Sequence, residues 1–103
     1  MKTKSFKKYL ESRLNKEEIA TIKRQAQREI KIFKNLQTTI AEMTQEYMKE
    51  NNIGFNELAR IFSCSPSQLV KIQRAEANLT MSSIANILAS MGKDLNDVFK
   101  KTS

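Results

Sequence analysis

The sequence predicts an all-α fold. Apolar residues recur every three or four positions over most of the chain, which is the period of an amphipathic helix. No segment alternates apolar and polar residues as a strand does, and the only proline, Pro66, directly follows a serine that can begin a helix. With 103 residues and 40% hydrophobic content, the chain suffices for one core, so we expect one domain with an appendage.

The chain opens with a predicted short amphipathic helix. Ser5 can cap this helix, which we expect to run through Leu14. Asn15 and Glu18 then resemble a capping box, in which each residue binds a backbone N–H of the other, so a second helix is predicted to start here.

The second helix is predicted to be long. Apolar side chains continue at helical spacing over residues 19–47, which indicates either one helix or two helices broken near residues 37–39. Asn51 and the following Asn-Ile-Gly should end it. We therefore divide the chain into an N-terminal helical extension, residues 1–37, and a main domain, residues 38–103.

Residues 55–74 predict two short helices joined by a tight turn. Ser65 can cap the second helix, and Pro66 suits its first position because a proline lacks the N–H that would be unpaired there. The apolar residues expected in the shared core of this pair are Leu58, Ala59, Phe62, Cys64, Leu69 and Ile72. This layout is that of a helix-turn-helix that reads DNA.

The second helix of the pair carries the candidate reading face. Its predicted outward residues are Ser67, Gln68, Val70, Lys71 and Arg74. Glutamine can pair with adenine, lysine can reach the acceptors of guanine, and serine or arginine can bind bases or phosphates. The alternative is an inert helical pair, because a polar outer face is also what a solvated helix presents.

A further helix and a short tail complete the main domain. Residues 75–79 form a predicted polar loop, and Thr80 can cap a helix that stops at Gly92. The apolar side chains expected to close the core are Ile84, Ile87, Leu88 and Met91, to which the tail adds Leu95, Val98 and Phe99. The tail itself is either a short helical turn or an extended strand.

The basic charge of the chain is concentrated in its N-terminal third. Residues 1–34 contain eleven Lys or Arg against four Glu, whereas residues 35–103 contain seven of each sign. This surplus can run along phosphates as a basic arm, or it can solvate the outer faces of helices. The same region carries apolar residues that must fold back, pair with a second copy or cover a partner: Phe6, Tyr9, Leu10, Ile19, Ile22, Ile30 and Phe33.

The composition argues against an enzyme. With no histidine and one cysteine, Cys64, the chain cannot assemble a histidine-based triad or a conventional zinc site, and its two glycines cannot form a glycine-rich phosphate loop. We expect no catalytic residue, no metal and no cofactor. No run approaches the roughly 18 apolar residues of a membrane span, so we expect a soluble, cytoplasmic protein without a membrane partner.

Residues 54–95 resemble the Xre and lambda-repressor type of helix-turn-helix family. The resemblance lies in ELA at Glu57–Ala59, CS at Cys64 and Ser65, KIQR at Lys71–Arg74 and the later SIANILASMGKDL. It implies a five-helix lambda-repressor-like domain whose DNA-binding residues are Ser65, Pro66, Ser67, Gln68, Val70, Lys71 and Arg74. Phe55 stands where the family has a phosphate-binding glutamine, and Ser63 and Ala75 stand where it often has glycine.

The chain as a whole also looks like a HigA-type antitoxin, with an LNKEEI-like helix start at residues 14–19 and ASMGKDL at residues 89–95. This resemblance implies a homodimeric repressor that binds double-stranded operator DNA, autoregulates its operon and neutralises a HigB/RelE-like toxin. One alternative is a stand-alone or phage-derived Xre-family regulator without a toxin. Another is a pure protein-interaction module whose helix-turn-helix no longer reads DNA.

Overall fold

A computed structural model describes residues 16–102, which form five helices and no strand within that range. In chain order the helices are α1 (Lys16–Asn51), α2 (Phe55–Ile61), α3 (Pro66–Gln73), α4 (Met81–Ser90) and α5 (Leu95–Thr102). The all-α prediction is therefore confirmed. The predicted helix between Ser5 and Leu14 lies outside the described residues, as does the cap at Asn15.

Contacts within the chain divide it into two units, Met1–Ile32 and Phe33–Ser103. The described part of the first unit, residues 16–32, is the opening half of α1 and is largely exposed. Its polar side chains bind along the helix: the Thr21 hydroxyl donates to the Glu17 carbonyl oxygen at 2.9 Å, and Arg24 donates to the Thr21 hydroxyl oxygen at 3.2 Å. Helix α1 continues without a break through residues 37–39, so the single-helix alternative is the one observed.

The second unit has one hydrophobic core between the last part of α1 and helices α2–α5. The buried apolar side chains of this core are Ile40, Met43, Leu58, Ala59, Phe62, Leu69, Ile72, Ala77, Ile87, Leu88, Met91 and Val98. Thr44 is also fully buried, and its hydroxyl donates to the Ala41 carbonyl oxygen at 2.8 Å, which satisfies the hydroxyl without a partner outside the helix. The core that the sequence predicts for α2 and α3 is confirmed.

Helices α1–α4 are each followed by a left-handed residue, one or two positions after the last helical residue. These residues are Asn52, Ser63, Ala75 and Gly92, with φ angles of 51°, 54°, 58° and 68°. In each case the next N–H donates five residues back, as Cys64 does to the Ala59 carbonyl oxygen at 3.0 Å and Glu76 does to Lys71 at 2.9 Å. Because this conformation costs a residue with a β-carbon about 1–2 kcal/mol, Ser63 and Ala75 carry strain that a glycine would not.

Side-chain caps start α4 and α5. The Thr80 hydroxyl accepts the Ser83 N–H at 3.1 Å, as the sequence predicts. At α5, Asp94 accepts the Asp97 N–H at 3.2 Å, and Asp97 accepts the Asp94 N–H at 2.9 Å. This capping box lowers the pKa of Asp97, chiefly through the hydrogen bond from the Asp94 backbone.

The tail is a helix, and only part of its predicted core contact is made. Val98 is buried, whereas Leu95 and Phe99 are each 60% exposed, so the prediction that both join the core is wrong. Phe99 lies about 100° around the helix from Val98, and Leu95 is the first residue of the helix, about 60° from Val98. An ion pair between Lys101 and Glu46 joins α5 to α1 and raises the pKa of Lys101.

Candidate nucleic-acid interface

The turn between α2 and α3 is short and ordered by backbone hydrogen bonds. Phe62 ends α2 with its side chain in the core, and the left-handed Ser63 donates to the Arg60 carbonyl oxygen at 3.0 Å. Cys64 follows as a half-buried residue that packs against the core, and burial raises the pKa of its thiol. A raised pKa keeps the thiol protonated, which fits the predicted packing role better than a reactive one.

Helix α3 begins as the sequence predicts. Ser65 is in the extended conformation, its hydroxyl accepts the Gln68 N–H at 3.1 Å, and Pro66 occupies the first turn. Leu69 and Ile72 are 0% and 3% exposed, so they fix which side of α3 faces the core. The rotation of α3 about its own axis is therefore set by apolar burial.

The opposite side of α3 is exposed. Its residues are Pro66, Ser67, Val70, Lys71 and Arg74, which at about 100° per residue occupy one continuous side about 140° wide. This side offers a hydroxyl, an apolar side chain suited to a thymine methyl group and two cations that can reach guanine or phosphate. There is no acidic residue in the first turn of α3, so no carboxylate opposes an approaching phosphate from that turn.

Gln68 is placed differently from the prediction. The sequence puts it on the outside of α3, whereas the structure has it half-buried at the rim of the exposed side. It lines a groove of about 320 Å³ together with Ser82, Ser83 and Asn86 of α4. Asn86 donates from its side-chain amide to the Phe62 carbonyl oxygen at 3.0 Å, which joins α4 to the turn. Gln68 can therefore reach a ligand only along one edge of α3.

The sequence prediction did not include the α4 residues that line this groove. Ser82 and Asn86 are exposed, and Ser83 is half-buried beneath them. The cap at Thr80 fixed the start of α4, but only the tertiary contact between α4 and the turn brings these polar groups beside Gln68. A sequence pattern contains no signal for that contact.

The candidate partner-binding residues that the structure describes are exposed, apart from Ile19. In the first unit, Ile22 and Ile30 are 52% and 66% exposed and Ile19 is half-buried. In the second unit, Phe33 is 44% exposed. Phe6, Tyr9 and Leu10 lie outside the described residues. The structure adds exposed apolar side chains that the prediction missed, among them Ile32 and Met81.

Two features are absent from residues 16–102. No group of three or more acidic or cysteine side chains there is arranged to hold a metal ion. Within the same part of the chain, no helix is both long and apolar enough to cross a membrane.

No protein-family model matches this chain, and comparisons with curated proteins and with solved structures gave no match. Its function therefore has to be inferred from its residues and their geometry.

Proposed function

We propose that this chain is a sequence-specific DNA-binding repressor of the Xre type, a cytoplasmic homodimer that acts as the antitoxin of a HigB/RelE-like toxin and autoregulates its own operon. We propose a binding role without catalysis. The observation that carries the DNA-binding part is the exposed side of α3, which is held outward by the buried Leu69 and Ile72 and presents Lys71 and Arg74 to solvent.

An α-helix of this size fits the major groove, and the residues of α3 divide by their chemistry. Ser67, Val70 and Lys71 would face base edges, with Gln68 reaching an adenine only from the rim. Ser65 and Pro66 would bring the start of α3 close to the backbone, and Arg74, at the other end, would bind a phosphate. Base contacts then give selectivity, and phosphate contacts give the docking register.

Phosphate affinity would come mainly from outside α3. Residues 33–103 contain eight Lys or Arg against seven Asp or Glu, whereas residues 1–32 contain ten against four. The second unit alone is nearly neutral, so we expect the N-terminal region to supply much of the salt-dependent affinity.

The test is fluorescence anisotropy against DNA from immediately upstream of the protein's own gene and against a scrambled duplex, over a salt series. We expect tight, selective binding that survives moderate salt. The double variant Gln68→Ala and Lys71→Ala should lose selectivity while its thermal unfolding stays unchanged, because neither side chain is buried in the core. The matched control is Lys49→Ala, which removes an exposed lysine in the last turn of α1 and should leave the selectivity for operator DNA unchanged. Equal binding to both duplexes by the wild type would refute the proposal that the chain is a sequence-specific repressor.

The antitoxin part depends on the exposed apolar residues of the first unit. Ile22 and Ile30 lie on one side of α1, and burying such side chains against a partner is worth about 1.5–3 kcal/mol each. Because basic residues surround them, the toxin would need an apolar pocket with an acidic rim.

Co-expression with the product of the adjacent gene tests this part. We expect a complex that co-purifies and is lost in the double variant Ile22→Ser and Ile30→Ser. Ile32→Ser is the matched control, since Ile32 is 57% exposed but lies about 120° around the helix from the side formed by residues 19, 22, 26, 30 and 33. Selective DNA binding without a toxin complex would instead support a stand-alone regulator.

The homodimer is proposed to form through α5. Leu95 and Phe99 are exposed one turn apart, which is an apolar ridge that a second copy of α5 can cover. We expect the double variant Leu95→Ser and Phe99→Ser to sediment as a monomer, and an unchanged dimer would place the interface elsewhere.

The near-neutral charge of the second unit favours one other candidate, an interaction module that does not read DNA. That candidate predicts a stable protein partner together with weak, salt-sensitive binding that is equal on all duplexes.

A further inference from the structure

Three side chains of α1 donate hydrogen bonds to carbonyl oxygens around the C-terminal end of α3. Gln37 donates to Ala77 at 2.8 Å, Lys34 donates to Ala75 at 3.2 Å, and Gln45 reaches Gln73 at 3.5 Å. Gln37 makes the shortest of these bonds and is half-buried, and its acceptor belongs to a residue that is only 5% exposed. We call the three donors the α1 clamp.

Only one of the three acceptor carbonyls, that of Gln73, belongs to α3, and those of Ala75 and Ala77 lie in the segment that follows the helix. The last four carbonyl groups of an α-helix have no intrahelical N–H, and two of those in α3 are satisfied by the turn that follows. Ala75 donates to Ile72 at 3.1 Å, and Glu76 donates to Lys71 at 2.9 Å. The clamp supplies donors for Gln73 and for the segment beyond it, so it fixes where the end of α3 lies relative to α1.

The position of that end matters for any contact made along the exposed side of α3. A helix of eight residues is about 12 Å long, so a tilt of about 5° about one end moves the other end by about 1 Å. Hydrogen bonds to bases tolerate a range of only about 0.5 Å in donor–acceptor distance. The N-terminal end of α3 is held by its Ser65 cap and by the bond from Asn86 to Phe62. The other end is held by the buried Ile72, by the bond from the Gln73 side-chain amide to the Met48 sulfur at 3.0 Å, and by the clamp.

We propose that Gln37, assisted by Lys34 and Gln45, is a positioning residue for DNA reading: it sets the tilt of α3 and thereby its selectivity, without touching DNA. This inference rests on the proposed function. It extends the site to residues of α1 that are distant from α3 in sequence.

The test compares Gln37 variants in the same anisotropy assay. Gln37→Met keeps the length of the side chain and removes the donor, and Gln37→Glu keeps the shape and replaces the amide with a carboxylate. We expect both to lower selective affinity roughly tenfold, about 1.4 kcal/mol, while affinity for the scrambled duplex and the salt dependence stay unchanged. Gln37→Lys restores a donor and should recover most of the selectivity. Gln27→Met, an exposed glutamine of the same helix, is the matched control.

A purely structural role would give a different result. Loss of folded protein lowers affinity for both duplexes by the same factor, so the ratio of the two affinities would not change. Urea unfolding of each variant measures that folded fraction directly.

The preference of the wild type for its operator separates the two ways to fail, and amide hydrogen exchange at residues 74–76 is measured beside it. If wild type reads its operator and the Gln37 variants keep its selectivity ratio, the positioning role is overturned and the proposed function stands. If wild type shows no preference between duplexes, both are overturned, and faster exchange in Gln37→Met would then assign the clamp to stability alone.

Discussion

Replacing Ser63 with glycine should stabilise the second unit. Ser63 is exposed and left-handed with φ of 54°, a conformation that costs a residue with a β-carbon about 1–2 kcal/mol. Glycine removes that cost, but its greater freedom in the unfolded chain costs about 0.4–1 kcal/mol. The difference is a gain of about 0.8 kcal/mol in the free energy of unfolding, or a rise of about 3–6 °C in melting temperature for a domain of this size.

Thermal and urea unfolding followed by circular dichroism would measure the gain. Ser63→Ala is the decisive control, because alanine keeps the β-carbon and should leave stability within about 0.5 kcal/mol of wild type. Ala85→Gly, inside α4, should be destabilised by about 1 kcal/mol, which confirms that glycine is not stabilising by itself. If Ser63→Gly were no more stable than Ser63→Ala, the conformational strain assigned to this turn would be wrong.

Other substitutions test neighbouring parts of the second unit. Ala75→Gly should also stabilise, by roughly half as much as Ser63→Gly, because its half-buried methyl group is lost as well; a loss of stability in urea unfolding would contradict this. Leu69→Ala should cost about 2–5 kcal/mol because Leu69 is fully buried, whereas Met81→Ala, at a side chain that is 88% exposed, should cost under about 1 kcal/mol. Since capping lowers the pKa of Asp97, its contribution to stability is present above the ordinary carboxyl range and is lost as the pH falls through the lowered pKa. The stability difference between wild type and Asp97→Asn, measured by urea unfolding, should therefore shrink between about pH 7 and pH 3, and a difference independent of pH would contradict the capping role.

Local chemistry explains why the helix starts were predictable. The serine of Ser65-Pro66 supplies a cap, and the proline needs no N–H partner, so neither depends on the rest of the fold. Thr80 caps α4 for the same reason. Helical spacing likewise predicted the burial of Leu58 and Leu69, since each belongs to the apolar stripe of its helix.

The failures share a different cause, which is that the answer depends on a contact between elements. Gln68 was expected on the outside because it is polar and lies off the apolar stripe of α3. In the structure α4 packs beside it. Ala77 lies in a polar loop and was not expected in the core, but it is packed among the core side chains and its carbonyl oxygen accepts a hydrogen bond from Gln37. Phe99 was expected inside because it is apolar, but it lies about 100° around α5 from Val98, whose side chain takes the buried position.

Most of the basic residues and the candidate base-contacting residues lie in different parts of the chain, which affects how the proposed repressor would bind DNA. The exposed side of α3 contributes only Lys71 and Arg74 to phosphate attraction, whereas most of the basic surplus lies before residue 33. Selectivity would then depend on the second unit, and the steep salt dependence on the first. A protein bound over Ile22 and Ile30 would screen the basic residues between them, so it should weaken binding to every duplex by a similar factor. A partner that changed the ratio between operator and scrambled DNA would have to act on the tilt of α3, and the α1 clamp is the contact through which it could do so.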